Sequence, residues 1–124
     1  MLNRIEVKIF VYGTLKRGQP LHYALHGQTY VGEARTLPHF RLFSLGEYPG
    51  LVNAERPGDG LAIEGEVWDV DPCCLAELDE IEAVDEGEYA RIPVPLQEPF
   101  QDVAVQGYLY LGDIGGLEEA GSRW

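Results

Sequence analysis

Short runs of alternating apolar and polar residues, each cut off by proline or glycine, constrain this chain more than any other feature. Ile5, Val7, Ile9 and Val11 alternate with Glu6, Lys8, Phe10 and Tyr12, and the run stops at Gly13. Such period-two spacing predicts a strand with one strongly apolar face. Further strands are predicted over 28–36 and 40–45, separated by Pro38, and over 61–70 and 103–111. Residues 89–96 read as an edge strand, because Pro93 and Pro95 cannot donate to a ladder. Gly46-Glu47-Tyr48-Pro49-Gly50 and the stretch 53–60 read as loops. Helical spacing is confined to a short piece after Pro20, over 21–25, and to a longer one after Asp71-Pro72, where Asp is an N-cap and Pro takes the first helical position. The tail, from about 113 to 124, reads as a short helix or a flexible end. Strands outnumber helices without a regular βαβ rhythm, so the fold class is α+β with mostly antiparallel pairing.

A length of 124 residues predicts a single domain with one core. The formal net charge is −12, from 9 basic and 21 acidic residues. Phosphate backbones and anionic lipid surfaces repel such a protein, so neither nucleic acid nor a membrane is an expected partner. No run approaches the ~20 apolar residues of a membrane helix. The start, Met1-Leu2-Asn3-Arg4, is charged and leads into the first strand, unlike a signal peptide. Cys73 and Cys74 are the only cysteines, and adjacent cysteines rarely pair. No His stands at ligand spacing from them, so no metal site is expected, and a reducing cytoplasmic compartment is the default.

Glu82 stands out on the longer helix. At about 100° per residue, Cys74, Leu75, Leu78 and Ile81 form one apolar stripe. Glu82, four residues beyond Leu78, falls inside that stripe, whereas Glu77 and Glu80 face solvent and Asp79 lies at its border. Burial and the negative end of the helix dipole would both raise the pKa of such a carboxyl. That suits a group that takes and returns a proton near neutrality. If the helix frays before Glu82, the side chain escapes to water, and the pattern alone leaves both outcomes open.

Tyr12-Gly13-Thr14-Leu15 directly follows the first strand. Gly13 permits a tight turn, and the backbone N–H groups of Gly13, Thr14 and Leu15 could converge on a carboxylate or an oxyanion. On these residues alone the signal is weak, and a plain turn is the favoured reading. Lys16-Arg17-Gly18 lacks the glycine spacing of a phosphate loop.

Taken in order, FVYGTLKRGQP (10–20), GEYPGLV (46–52), GEVWDVDP (65–72), LAELDEIE (75–82), EYAR (88–91) and VQGYLY (105–110) resemble the gamma-glutamylcyclotransferase-like proteins, which include the gamma-glutamylamine cyclotransferases. The similarity spans nearly the whole chain. It implies a small, mostly antiparallel β-barrel flanked by short helices. The activity it implies is conversion of a γ-glutamyl amine or amino acid to 5-oxoproline and a free amine, with a small-molecule substrate and neither metal nor organic cofactor. It puts the family's acid/base on Glu82 and its substrate-binding loop on Tyr12, Gly13, Thr14 and Leu15. Of Tyr108 and Tyr110, which share a strand face, it favours Tyr110 as the pocket residue. Arg91 reads as structural, and Pro49-Gly50 as a border of the pocket. A non-catalytic small-molecule-binding protein of the same fold is the alternative.

Overall fold

The computed structural model describes residues 5–124; the charged start Met1–Arg4 lies outside the described residues. Eight strands follow in the order β1 (Val7–Val11), β2 (Thr29–Arg35), β3 (Phe40–Ser44), β4 (Pro49–Asn53), β5 (Glu64–Val70), β6 (Tyr89–Pro93), β7 (Gln106–Tyr110) and β8 (Glu119–Gly121). A 3-10 turn (His22–Leu25) lies between β1 and β2, and the helix α1 (Pro72–Ile81) between β5 and β6. No helix among the described residues is long and apolar enough to cross a membrane.

The sheet runs β2-β5-β1-β7-β4-β3-β8, with β6 paired to β7 off this path. Most pairs are antiparallel, but β7 runs parallel to both β1 (Ile9 opposite Gln106) and β4 (Leu51 opposite Leu109). The ladders do not close, so the expected barrel is an open sheet with β2 and β8 at its edges. One backbone hydrogen bond, from the Glu64 N–H to the Ser122 carbonyl (2.8 Å), ties the start of β5 to the segment just after β8.

Three expectations are corrected. The segment 46–50 is not all loop: Pro49 and Gly50 begin β4, with Pro49 opposite Ser44. Proline is compatible with the first position of a strand, and the ring of Tyr110 fills the space where a side chain at 50 would sit, 2.9 Å from its Cβ. The tail forms the short strand β8 on β3, rather than a helix or a free end. Finally, β1 is buried on both faces. Ile9 and Val11 pack with Trp68, Val70, Cys74, Leu78 and Tyr108 under the helix. Phe10 and Tyr12 pack into a second cluster with Leu42, Leu51, Ile63 and Val67 on the other side. A strand covered on both sides loses its alternation of burial. Ile5, counted with it in the sequence, stands outside the strand at 74% exposure.

The ends of α1 are set locally. The Asp71 carboxylate accepts the Cys74 N–H at 2.8 Å, and Gln28 Oε1 accepts the Asp71 N–H at 2.9 Å. At the other end the Ala83 N–H returns to Glu80 O and the Val84 N–H to Asp79 O, both at 3.0 Å. This reversal normally has glycine at its left-handed position. Here the residue is Ala83, at φ 52°. The left-handed backbone costs an L-residue about 1–2 kcal/mol, against about 0.5–1 kcal/mol of extra unfolded-chain entropy for glycine. Ala83→Gly is therefore expected to raise stability by about 0.5 kcal/mol in urea denaturation. A loss of stability would mean that the position is unstrained.

Candidate active site

Where β1 ends, the chain turns sharply: the Lys16 N–H donates to Gly13 O at 3.1 Å, leaving Thr14 and Leu15 at the corner. The turn is anchored by the Leu21 N–H on Thr14 O (2.9 Å) and by His22 Nδ1 on Leu15 O (2.9 Å). Among the described residues the backbone N–H groups of Gly13, Thr14 and Leu15 have no hydrogen-bond partner. Gly13 and Leu15 are buried. An unpaired buried N–H is costly, on the order of 1–3 kcal/mol, and marks a place for an acceptor.

These three residues line a cavity of about 210 Å³. The end of α1 forms another part of its wall, with Ile81 and Glu82, and Tyr48, Pro49, Glu88 and Tyr89 complete the rim. The helix does not fray before Glu82: its N–H still reaches Leu78 O at 2.9 Å. The half-buried carboxylate makes no side-chain hydrogen bond among the described residues. Burial, and then the nearby Glu88 carboxylate, push its pKa up to about 7.

The aromatic wall is pinned by its own hydroxyls. Tyr12 Oη donates to Tyr108 O (2.7 Å) and accepts the Leu51 N–H (3.2 Å), which ties β1 to β7 and β4. Tyr89 Oη donates to Pro49 O at 2.7 Å, and Tyr108 Oη to Asp79 at 2.7 Å. Burial above all, helped by the Glu82 charge, raises the pKa of each of these three phenols far above its usual value. They are therefore neutral donors committed to the scaffold. Tyr12, expected to bind substrate, offers its ring to the cavity and its hydroxyl to the sheet.

The expected loop and Glu82 thus meet in one cavity, whereas Tyr110 is not among its lining residues. Tyr108 lines the cavity, and the Tyr110 ring stacks edge-on against Tyr89 at 5.4 Å. Both tyrosines share one strand face, and the pairing register distinguishes them: Tyr89 sits opposite Tyr110, while Tyr108 lies opposite Arg91. Arg91 is bound to Asp79 through Nε (3.0 Å) and Nη2 (3.2 Å), and through Nη1 to Gln106 (2.6 Å). It holds α1 on the sheet. Glu88 and Tyr48, joined at 3.0 Å on the rim, were missed as site residues. In the sequence their only cue was adjacency to Tyr89 and to Pro49.

A family model described as "Gamma-glutamyl cyclotransferase, AIG2-like" matches residues 9–124. The Gamma-glutamylcyclotransferase family protein YtfP of Escherichia coli is 35% identical over 112 residues, covering 90% of this chain and 89% of that protein. The Gamma-glutamylaminecyclotransferase of Homo sapiens is 38% identical over 119 residues, covering 82% of this chain and 76% of the human one. The crystal structure of an AIG2-like protein from Mus musculus superposes with a TM-score of 0.79 at 31% identity, covering 96% of this chain and 88% of the mouse chain.

Proposed function

The chain belongs to the gamma-glutamyl cyclotransferase, AIG2-like family, and from that premise we propose that it converts a γ-glutamyl amine or γ-glutamyl amino acid to 5-oxoproline and the free amine. The observation that carries this reading is the meeting, in one cavity, of the unpaired N–H groups of Gly13, Thr14 and Leu15 with a carboxyl of pKa about 7. The human relative's name points to γ-glutamylamines as one substrate class.

The reaction is a ring closure. The substrate's α-amine is mostly protonated near neutrality and cannot attack until a proton leaves. Glu82, ionised above about pH 7, takes that proton. The free amine then attacks the γ-carbonyl carbon, the carbonyl oxygen becomes an oxyanion, and the new ring nitrogen gives up its surplus proton to solvent. The N–H groups of the turn hold that oxygen or the glutamyl α-carboxylate. Collapse of the intermediate breaks the bond to the leaving nitrogen, and Glu82 returns the proton to it. Because both reacting groups belong to one molecule, holding the glutamyl chain folded supplies much of the rate. The pinned ring of Tyr12 and the buried Tyr108 give that chain a fixed wall to fold against. The steps require neither metal nor organic cofactor.

The test is a panel of γ-glutamyl amines and γ-glutamyl amino acids incubated with the protein, with 5-oxoproline measured as product. At least one member is expected to turn over. Compounds that bind at this cavity yet release no 5-oxoproline would make the chain a binding protein of the same fold instead.

A further inference from the structure

Lys16 is a lysine in an unusual position. It is only 9% exposed, and its ammonium makes neither an ion pair nor a hydrogen bond among the described residues. The acid that could have paired with it is already occupied. Glu66 accepts Arg17 Nε and the Arg17 N–H, each at 3.1 Å, and Trp68 Nε1 at 3.1 Å. Lys16 closes the Gly13 turn with its backbone, but its side chain lines a different cleft from that of Glu82, one of about 400 Å³.

We propose that this second cleft binds a small zwitterion of the α-amino acid class, its carboxylate between Lys16 and Arg123 and its ammonium toward the facing glutamates. Three observations support the assignment. The first is the unpartnered ammonium itself: the Lys16 side chain is buried along its stem but its tip opens to the cleft, and none of the described residues supplies a counter-charge at contact distance. The second is a further cation on the same cleft. The Glu64–Ser122 hydrogen bond brings the end of the chain over β5, so that Arg123 lines the cleft beside Lys16. Burial, and then the charge of Arg123, lower the Lys16 pKa. An anion placed between two such cations satisfies both at once.

The third observation concerns the remaining wall. Glu33, Glu64 and Glu98 line it together with Arg35, which lies opposite Glu64 in the β2–β5 register, and the three carboxylates make no side-chain hydrogen bond or ion pair among the described residues. In the β2–β5 register Glu33 faces Glu66, a like-charged pair that by itself is unfavourable. Such a wall repels phosphate and other multiply charged anions and suits an ammonium. A cleft that carries both cations and uncommitted carboxylates matches a ligand with one charge of each sign, and its volume accommodates an amino acid.

The experiment titrates the full chain with L-alanine, acetate and methylamine, following backbone amide shifts by NMR in the absence of substrate. L-alanine is expected to bind and to shift the amides of Lys16, Gly65 and Ser122. Acetate and methylamine are each expected to bind at least about tenfold more weakly, since each lacks one charged contact. Lys16→Met, which keeps the aliphatic stem, is expected to lower alanine affinity at least about tenfold. Arg123→Ala, at an exposed position, should do the same and keeps the test informative if Lys16→Met fails to fold. Glu82→Gln, in the other cavity, should leave alanine binding unchanged. The proposal is overturned if alanine does not bind, if acetate binds equally tightly, or if alanine binding survives both cleft substitutions; its loss in Glu82→Gln would move it to the other cavity. No turnover enters these readouts, so a negative result here is separate from any failure of the cyclotransfer reading.

Discussion

Glu82→Gln is expected to lower kcat by about 10²–10⁴-fold while leaving the fold and substrate binding in place. Glutamine has nearly the same shape and still hydrogen-bonds, but it cannot accept a proton as a base. Glu80→Gln is the control. Glu80 is exposed on the same helix and should leave the rate at the wild-type value. The pH profile adds a second readout. With a carboxyl pKa of about 7, wild-type kcat/KM should rise as pH increases through that value, and this limb should vanish from the residual activity of Glu82→Gln.

Stability changes in the opposite direction. The folded-state pKa is raised from 4.5 to about 7, so between these values the folded protein holds a proton that the unfolded chain has released. Stability therefore falls as pH rises across that window, and the full penalty, on the order of 3 kcal/mol, is present only above about 7. Glutamine has no such penalty. Glu82→Gln should be more stable than wild type at pH 8, and the gain should disappear near pH 4.5, as read by urea unfolding at the two pH values. Wild-type turnover in Glu82→Gln would remove the acid/base role. A stability gain independent of pH would remove the burial argument beneath it.

Gly13→Ala is the second large effect. A Cβ at this position would lie 2.5 Å from Pro49 Cγ and 2.7 Å from Pro49 Cδ, which no real contact allows. Pro49 cannot retreat easily, because its carbonyl is held by Tyr89 Oη at 2.7 Å and its backbone is paired with Ser44 in the sheet. The turn must shift instead, carrying the N–H groups of Thr14 and Leu15 out of place. We expect KM to rise at least about tenfold and stability to drop by about 1–3 kcal/mol. The cause can be isolated, since the clashing atoms belong to the proline ring alone. Pro49→Ala removes Cγ and Cδ yet keeps the carbonyl that Tyr89 needs. The double variant Gly13→Ala/Pro49→Ala should recover most of both losses. A double variant no better than Gly13→Ala would place the damage elsewhere than in this contact.

What could be read in the sequence follows from the range of the interactions involved. The helix α1 was legible to within a residue, since Asp71, Pro72 and the apolar spacing act over a few positions. Glu82 was legible as an anomaly for the same reason. The burial of both faces of β1 was not, because it depends on what packs across from Phe10 and Tyr12, and those partners lie at 42, 51 and 63. Tyr108 could not be told from Tyr110, since their face is the same; Tyr108 lines the cavity, and the register with β6 sets Tyr110 against Tyr89. The strand at 119–121 has no alternation long enough to register; its place is set by the edge that β3 offers. Glu88 escaped notice because its nearness to Glu82 depends on the chain reversal through Ala83, whose carbonyl accepts the Glu88 N–H at 3.1 Å.

The position of β7 has a consequence for how the protein comes into being. This strand is nearly the last to be made, yet it lies between β1 and β4 and also carries β6. Its contact with β1 joins residues 9 and 106, a span that must close with most of the chain already laid out. Until then the first strand lacks its inner neighbour, the Tyr12 hydroxyl lacks its carbonyl acceptor on Tyr108, and the cavity lacks a wall. A nascent chain that ends before residue 106 lacks this wall of the cavity, so the proposed substrate would have no complete site until the sheet is finished.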